Sequence, residues 1–306
     1  MSSLTAGQPR DRVLRGIGFA LCAYLLFSCM DAIAKWLGEE GFPVMQIVFF
    51  RSLFGFLPVL PVIHGDGGWR TLRTRRPLMH ALRSLFVLGA ISTFFVGIRV
   101  MPLAEAITIA FTGPLFMTLL SIPILGEKVG PHRIGAVLVG FCGVVLAMQP
   151  GAETFRIEAF YLLFSGFSFA MASLMTRLLG RTETNGCITF YSTLGQFLPA
   201  ALALPFGWVT PHDWDHWALF LAMGLIGGVA LQCMTLGFRY APASLVAPFE
   251  YTALIWVTLL GWLVWRDWPG DHVWWGAALL VASGLYIAWR ETLRARQRQR
   301  EETTAR

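Results

Sequence analysis

The chain has 306 residues, of which 56% are hydrophobic and 14% charged, with a net charge of +6 and a mean hydropathy of +0.60. A soluble domain carries about 25% charged residues, so this composition excludes an ordinary aqueous surface and indicates a polytopic protein embedded in a lipid bilayer. The positive charge lies between apolar runs and at the chain ends, where it reads as an orientation signal and not as a nucleic-acid footprint.

Ten apolar spans follow in order, at about 14–37, 43–63, 79–99, 102–124, 131–149, 156–178, 185–206, 217–238, 242–265 and 271–290. Each is long enough to cross about 30 Å of hydrocarbon at 1.5 Å per residue. The predicted fold class is therefore an all-α polytopic membrane protein. The N-terminal run beginning at Arg10-Asp11-Arg12 is read as an uncleaved first helix. The connections are short, and Pro102 and Pro242 suit the first turn of a helix, where no backbone donor is needed.

With the N-terminus inside, the inner segments hold Arg10, Arg12, Arg15, Arg70, Arg73, Arg75, Arg76, Arg83, Lys128, Arg133, Arg177, Arg181, Arg239 and the arginines from Arg290 onward. The outer segments hold Lys35, Arg99, Arg156 and Arg266. That asymmetry predicts cytoplasmic termini.

The stretch from Arg99 to Pro150 occurs twice. At an offset of 140, Arg99 meets Arg239, Pro102 meets Pro242, Thr112 meets Thr252, Thr118-Leu119-Leu120 meets Thr258-Leu259-Leu260, Gly130 meets Gly270 and His132 meets His272. One inserted residue then aligns Gly135 with Gly276 and Gly143 with Gly284. Upstream, Phe27-Ser28 falls on Phe167-Ser168. The chain is thus predicted to be two copies, 1–150 and 151–306, of five helices each. Five is odd, so the second copy enters the membrane from the opposite side. Such inverted repeats are the geometry used for alternating access.

Asp31, Arg51, Glu105 and Glu250 fall inside spans, where a charge at the bilayer centre costs about 2.5–3.5 kcal/mol on insertion scales unless it is paired, hydrated or neutralised. On the first helix, Tyr24, Ser28, Asp31 and Lys35 form one stripe. Asp31 and Lys35 can pair at i,i+4, and Lys35 can also snorkel to the outer interface. Arg51 lies about 12 Å into the second span, as an anion clamp or as a structural bridge to Asp31 or Glu105. Glu105, Thr108 and Thr112 share a face of the fourth helix, which Pro114 can kink. Thr189, Ser192 and Gln196 align on the seventh helix, and Gln232 and Thr235 on the eighth, as cavity walls or packing polars.

Glu250, in the run Ala247-Pro248-Phe249-Glu250-Tyr251, lies about 13 Å deep. Pro248 frees the carbonyl of Ser244 and can open the helix locally. The repeat counterpart of Glu250 is Ala110, so this carboxylate is not part of the shared scaffold. Its candidate roles are to bind a substrate ammonium or to carry a coupling proton, against a plain hydrogen bond to a neighbouring helix.

The tryptophans near span ends, such as Trp208, Trp214 and Trp268, read as an interfacial belt. Ala136/Gly140 and Gly224/Gly228 read as helix-packing pairs. The five cysteines, Cys22, Cys29, Cys142, Cys187 and Cys233, fit neither a disulfide framework nor a zinc site by spacing. No Gly-rich phosphate loop, HExxH motif or nucleophile elbow occurs, so neither a cofactor nor a metal is expected.

The run PLAEAITIAFTGPLFMTLLSIPILGEKVGPHRIGAVLVGFCGVVLAMQP resembles the signature half of EamA-type carriers of the drug/metabolite transporter superfamily, and APFEYTALIWVTLLGWLVWRDWP resembles its second-copy counterpart. The resemblance implies ten helices in two inverted five-helix repeats around a central cavity, and secondary transport of a small metabolite across a bacterial inner membrane. One departure is Arg266-Asp267, where the second copy usually repeats the Gly126-Glu127 pair. The expected function is a secondary transporter of a small amino-acid-like or heterocyclic solute, with a proton or sodium ion as candidate coupling ion and a homodimer as candidate assembly. The competing readings are a lipid-modifying membrane enzyme, for which His212-Asp213 and His216 on one outer loop are the feature to test, and a passive channel.

Overall fold

The computed structural model describes residues 10–127, 129–150 and 156–304. Lys128 and the final residues of the basic tail lie outside the described set. In hydrocarbon every backbone polar group must find its partner within the chain, and the described residues accordingly fold into helices joined by short turns. These are α1 (Arg10–Glu39), α2 (Val44–Gly65), α3 (Pro77–Val100), α4 (Leu103–Ala110), α5 (Thr112–Leu125), α6 (Pro131–Met148), α7 (Ala159–Leu179), α8 (Asn185–Ala203), α9 (Trp214–Tyr240), α10 (Ala243–Val246), α11 (Thr252–Trp265) and α12 (Asp271–Thr304). Among the described residues, ten segments are long and apolar enough to cross a bilayer. Side chains such as Leu57, Leu85, Leu138, Phe160, Leu202 and Ile255 stand exposed on the outside of the bundle. In water they would be an aggregation hazard; here they form the lipid-facing belt.

The fourth and ninth spans, where Pro114 and Pro248 mark expected weak points, are each broken. The fourth divides into α4 and α5 at Phe111. The ninth passes from α10 through a 3-10 turn, Ala247–Tyr251, into α11. Prolines cause both breaks, by removing a donor and crowding the carbonyl four residues back. They are different prolines: Pro114 crowds Ala110 in the first copy, and Pro248 crowds Ser244 in the second. Their repeat equivalents are Leu254 and Thr108, so the two copies reach a similar discontinuity by unrelated substitutions.

The repeats are interleaved, not juxtaposed. The main packing partners are α1 with α9, α3 with α7, α2 with α8, α6 with α12, α2 with α9 and α3 with α8. Every one of these pairs joins the first copy to the second, and each has its counterpart under exchange of the copies. The two inverted repeats therefore share one core, which contains Leu37, Ile47, Ile98, Leu103, Ile109, Leu162 and Phe220.

Small residues allow the close crossings. A β-carbon on Gly224 would lie 2.5 Å from Phe54 Cβ, and one on Gly228 would lie 2.3 Å from Pro58 Cγ. A β-carbon on Gly143 would lie 2.7 Å from the Gly276 carbonyl, where α6 meets α12. Ser283 Oγ ties the same pair by donating to the Ala136 carbonyl at 2.5 Å.

The ends of α5 and α11 close alike despite the departure in sequence. Gly126 N–H donates to the Ile122 carbonyl and Glu127 N–H to the Ser121 carbonyl; Arg266 N–H donates to the Trp262 carbonyl and Asp267 N–H to the Gly261 carbonyl. Both ends carry the 5→1 bond of a left-handed helix cap, which requires a left-handed residue at that position. Gly126 takes φ 69° and Arg266 takes φ 60°. Arg266 therefore does what its glycine counterpart does, at the steric cost of a β-carbon in that conformation.

Candidate functional site

The α1 stripe is real, but its members take separate roles. Ser28 is buried and donates to its own Tyr24 carbonyl at 2.8 Å. Tyr24 is the electrostatic neighbour of Glu250 and Tyr251. Asp31, two turns further on, interacts electrostatically with Arg51.

Lys35 does not pair with Asp31, and it does not snorkel. It is 3% exposed and donates to the carbonyls of Ile98 at 2.9 Å and Met101 at 3.0 Å. It also pairs with Glu39 Oε1 at 3.0 Å. The Ile98 carbonyl would normally accept from residue 102, which is proline and has no N–H. Lys35 supplies the missing donor, and all three of its protons are engaged.

Arg51 faces Gln196 where α2 packs on α8. Its Nη1 donates to Gln196 Oε1 at 2.9 Å, and its Nε points at Met30 Sδ at 3.4 Å. Gln196 is fixed in turn by its Nε2, which donates to the Ser192 carbonyl at 2.9 Å. A guanidinium has five donors, so this fork keeps free N–H groups. No ion pair within 4.0 Å joins Arg51 to Asp31 or Glu105 among the described residues. The structural-bridge reading of Arg51 is thus replaced by a bond to an amide, which fixes the fork and leaves its charge uncompensated by contact.

Glu250 lies in the 3-10 turn of the broken ninth span, against α1. Neither its carboxylate nor that of Asp31 makes a hydrogen bond or ion pair among the described residues. Next to Glu250, the Tyr251 ring meets Phe111 edge-on at 5.4 Å between centroids. Phe111 and Tyr251 are repeat equivalents at the offset of 140, so the two breaks touch each other across the axis that relates the copies. Gly284 admits the phenol: a β-carbon there would lie 1.6 Å from Tyr251 Oη.

Other predicted residues lie apart from this group. Glu105 is half-buried near the start of α4, with Arg156 as its electrostatic neighbour. Thr112 is fully buried, bonds its own turn at the Ile109 carbonyl at 2.9 Å and packs against Gly166. Thr108 bonds its own turn in the same way. Gln232 donates to the Pro58 carbonyl at 3.1 Å and ties α9 to α2. On the outer loop, His216 Nδ1 lies 3.9 Å from Asp213 Oδ2, with its ring edge-on to Phe42. A shallow recess of about 500 Å³ lies elsewhere, between Pro131–Val139 and Ala282–Tyr286; it contains none of the candidate carboxylates or Arg51.

Sequence reading missed a set of polar links between the copies at the opposite end of α3. Arg83 donates through Nε to Thr176 Oγ1 at 2.6 Å, through Nη1 to the Ile188 carbonyl at 3.3 Å, and to Ser192 Oγ. Asp66 accepts from the Gly186 N–H at 2.6 Å, and Glu183 accepts from Thr74 Oγ1 at 2.8 Å. Arg83 looked like one more orientation charge, because its partners lie more than ninety residues away.

Both halves of the chain match the EamA-like transporter family, over residues 14–149 and 156–289. The chain belongs to that family. The EamA-like chain is 28% identical to an S-adenosylmethionine uptake transporter of Rickettsia conorii, over 91% of this chain and 94% of the relative. It is 30% identical to a riboflavin transporter of Rhizobium johnstonii, over 97% and 98%. A crystal structure superposes with a TM-score of 0.62 at 20% identity, covering 94% of this chain and 98% of that one, which shows the shared fold. This EamA-like protein is a multi-pass membrane transporter for a small metabolite, and not an enzyme.

Proposed function

We propose that the protein carries a small amino-acid-like solute bearing a heterocycle, of the S-adenosylmethionine kind, by alternating access across a bacterial inner membrane with both termini in the cytoplasm. The observation that carries this reading is the pair of carboxylates, Asp31 and Glu250, without bonded partners, together with one guanidinium held by Gln196. Charges left unpaired within a membrane span are costly, and a solute from outside the protein is suited to complete these groups. Two acids against one base favour a solute with net positive charge and one carboxylate. Arg51 takes the carboxylate through its planar fork, and the acids take the cationic centre. Phe111, Tyr251 and Tyr24 offer aromatic faces to a heterocycle. The broken fourth and ninth helices, meeting on the axis between inverted repeats, are the setting in which carriers of this type hold their substrates.

The test is uptake into proteoliposomes, with a thermal-shift screen of purified protein beforehand, since a ligand of the native state stabilises it. S-adenosylmethionine should stabilise the protein and accumulate, and Asp31→Asn should weaken its apparent affinity. Glu250→Gln separates the two roles of that residue: loss of accumulation with retained counterflow marks a proton carrier, and loss of both marks a substrate ligand. Stabilisation by neutral riboflavin alone would reject the charge argument, and uptake that never exceeds equilibrium would favour a passive channel. Orientation is checked by single cysteines at Arg70 and Asp213 in a cysteine-free background. Both positions are exposed, and they should label from the inside and the outside respectively.

A further inference from the structure

His80, Glu183 and Cys187 converge where the second and third spans and the sixth and seventh spans are joined. His80 is 2% exposed and Cys187 is fully buried, while Glu183 is half-buried and gives access from the surface. The ligating atoms of the three lie within 4.8 Å of one another. His80 Nε2 is 4.0 Å from Cys187 Sγ, and Cys187 Sγ is 3.6 Å from Glu183 Oε2. For a tetrahedral zinc ion with Zn–S about 2.3 Å and Zn–N about 2.05 Å, adjacent ligand atoms stand about 3.5 Å apart. The Cys187–Glu183 pair already stands near that spacing, the His80–Cys187 pair must close by about 0.5 Å, and all three atoms lie within the 4.8 Å that one ion can gather by side-chain rotation. His80 thus turns Nε2 to the cluster, while Nδ1, on the other side of the ring, is buried without a hydrogen-bond partner.

We propose that His80, Glu183 and Cys187 form a site for a soft divalent cation, with zinc as the best fit. A thiolate and an imidazole select zinc over magnesium or calcium. Binding releases the Cys187 thiol proton to solvent, and the thiolate and the Glu183 carboxylate then balance the two charges of the ion. This neutral assembly limits the desolvation cost of placing an ion among buried side chains. The fourth position falls to water or to the Leu72 carbonyl, 4.0 Å from the sulfur. The nearest cation, Arg83, is turned towards Thr176 and Ser192.

The site also joins the two copies. His80 and Leu72 belong to the first repeat, and Glu183 and Cys187 to the second. An ion held there clasps α3 to α8 at one face of the membrane. Resting on the alternating-access reading above, it would arrest the movement between repeats, so the ion acts as an inhibitor and not as cargo.

Cobalt(II) is the probe for binding, because tetrahedral thiolate coordination gives it visible d–d bands and a sulfur-to-metal charge-transfer band. Purified full-length protein should bind one equivalent with both features, and zinc should displace it. The spectrum should persist when Cys22, Cys29, Cys142 and Cys233 are all replaced by serine, lose the charge-transfer band in Cys187→Ser and lose intensity in His80→Asn. The absence of these bands from wild-type protein, or their persistence in Cys187→Ser, would overturn the site. Transport is read separately. Near-stoichiometric zinc should suppress wild-type uptake and leave Cys187→Ser uptake unaffected. Equal inhibition of both, or none in a protein that binds cobalt, would reject the clasp and leave the substrate reading intact.

Discussion

Replacing Lys35 with methionine isolates the contribution of one buried ammonium. The choice is a natural one, because Met175 occupies the equivalent position in the second copy. Methionine keeps the length of the stem but removes three donors. The carbonyls of Ile98 and Met101 then lose the donors that lie at 2.9 and 3.0 Å. Each buried acceptor left without a partner costs about 1–3 kcal/mol. The pair with Glu39 adds little, since that carboxylate is 37% exposed and such bridges contribute about 0–1 kcal/mol. The sum is about 2–7 kcal/mol. At about 2 °C per kcal/mol for a chain of this size, thermal unfolding in detergent should drop by about 4–14 °C. Substrate affinity of the protein that remains folded should be unchanged, because Lys35 has no donor left to offer a ligand. An unchanged Tm with a weakened substrate affinity would refute this and return Lys35 to the binding site.

Arg51→Lys should insert and fold but lose about ten- to hundred-fold in uptake rate, since a point charge cannot hold Gln196 and a carboxylate together and one charge-assisted bond is worth about 1.5–3 kcal/mol; full uptake would remove Arg51 from the site. Gly284→Ala should abolish most transport by pushing the Tyr251 phenol away from Phe111, at an overpacking cost of about 1–3 kcal/mol. Adding Tyr251→Phe should restore part of it, because the nearest remaining ring atom is 2.7 Å from the new methyl. Arg266→Gly should raise thermal stability by about 1 kcal/mol by relieving the left-handed residue, with no change in uptake.

Much of this architecture is legible in the amino-acid sequence. The ten spans follow from hydropathy and the inversion from an odd helix count, because the bilayer enforces both. The 140-residue offset even pairs Phe111 with Tyr251, which touch. What escaped sequence reading are interactions whose partners lie far apart in the chain. The sequence offers Lys35 either its i,i+4 neighbour Asp31 or the outer interface, yet the neighbour it pairs with is Glu39, and its main partners are carbonyls at the end of α3. Thr112 and Gln232 carry the polar atoms expected of a cavity wall, and both direct them to backbone carbonyls. Cys187 gives little spacing signal, because only Glu183 is near it in the chain and His80 comes from the other copy, more than a hundred residues away. The proline breaks were half legible: Pro114 and Pro248 announce weak points, but only the packed structure shows that they coincide.

The contact between Phe111 and Tyr251 has a kinetic consequence. If the two copies exchange conformations as the protein turns from one side of the membrane to the other, a contact between non-equivalent positions is traded for its mirror. A contact between equivalent positions is traded for itself. Its energy is then nearly the same in both end states and cannot bias the balance between them. It can differ only midway, so a smaller ring at either position should change how fast the protein turns over while leaving its resting orientation where it was.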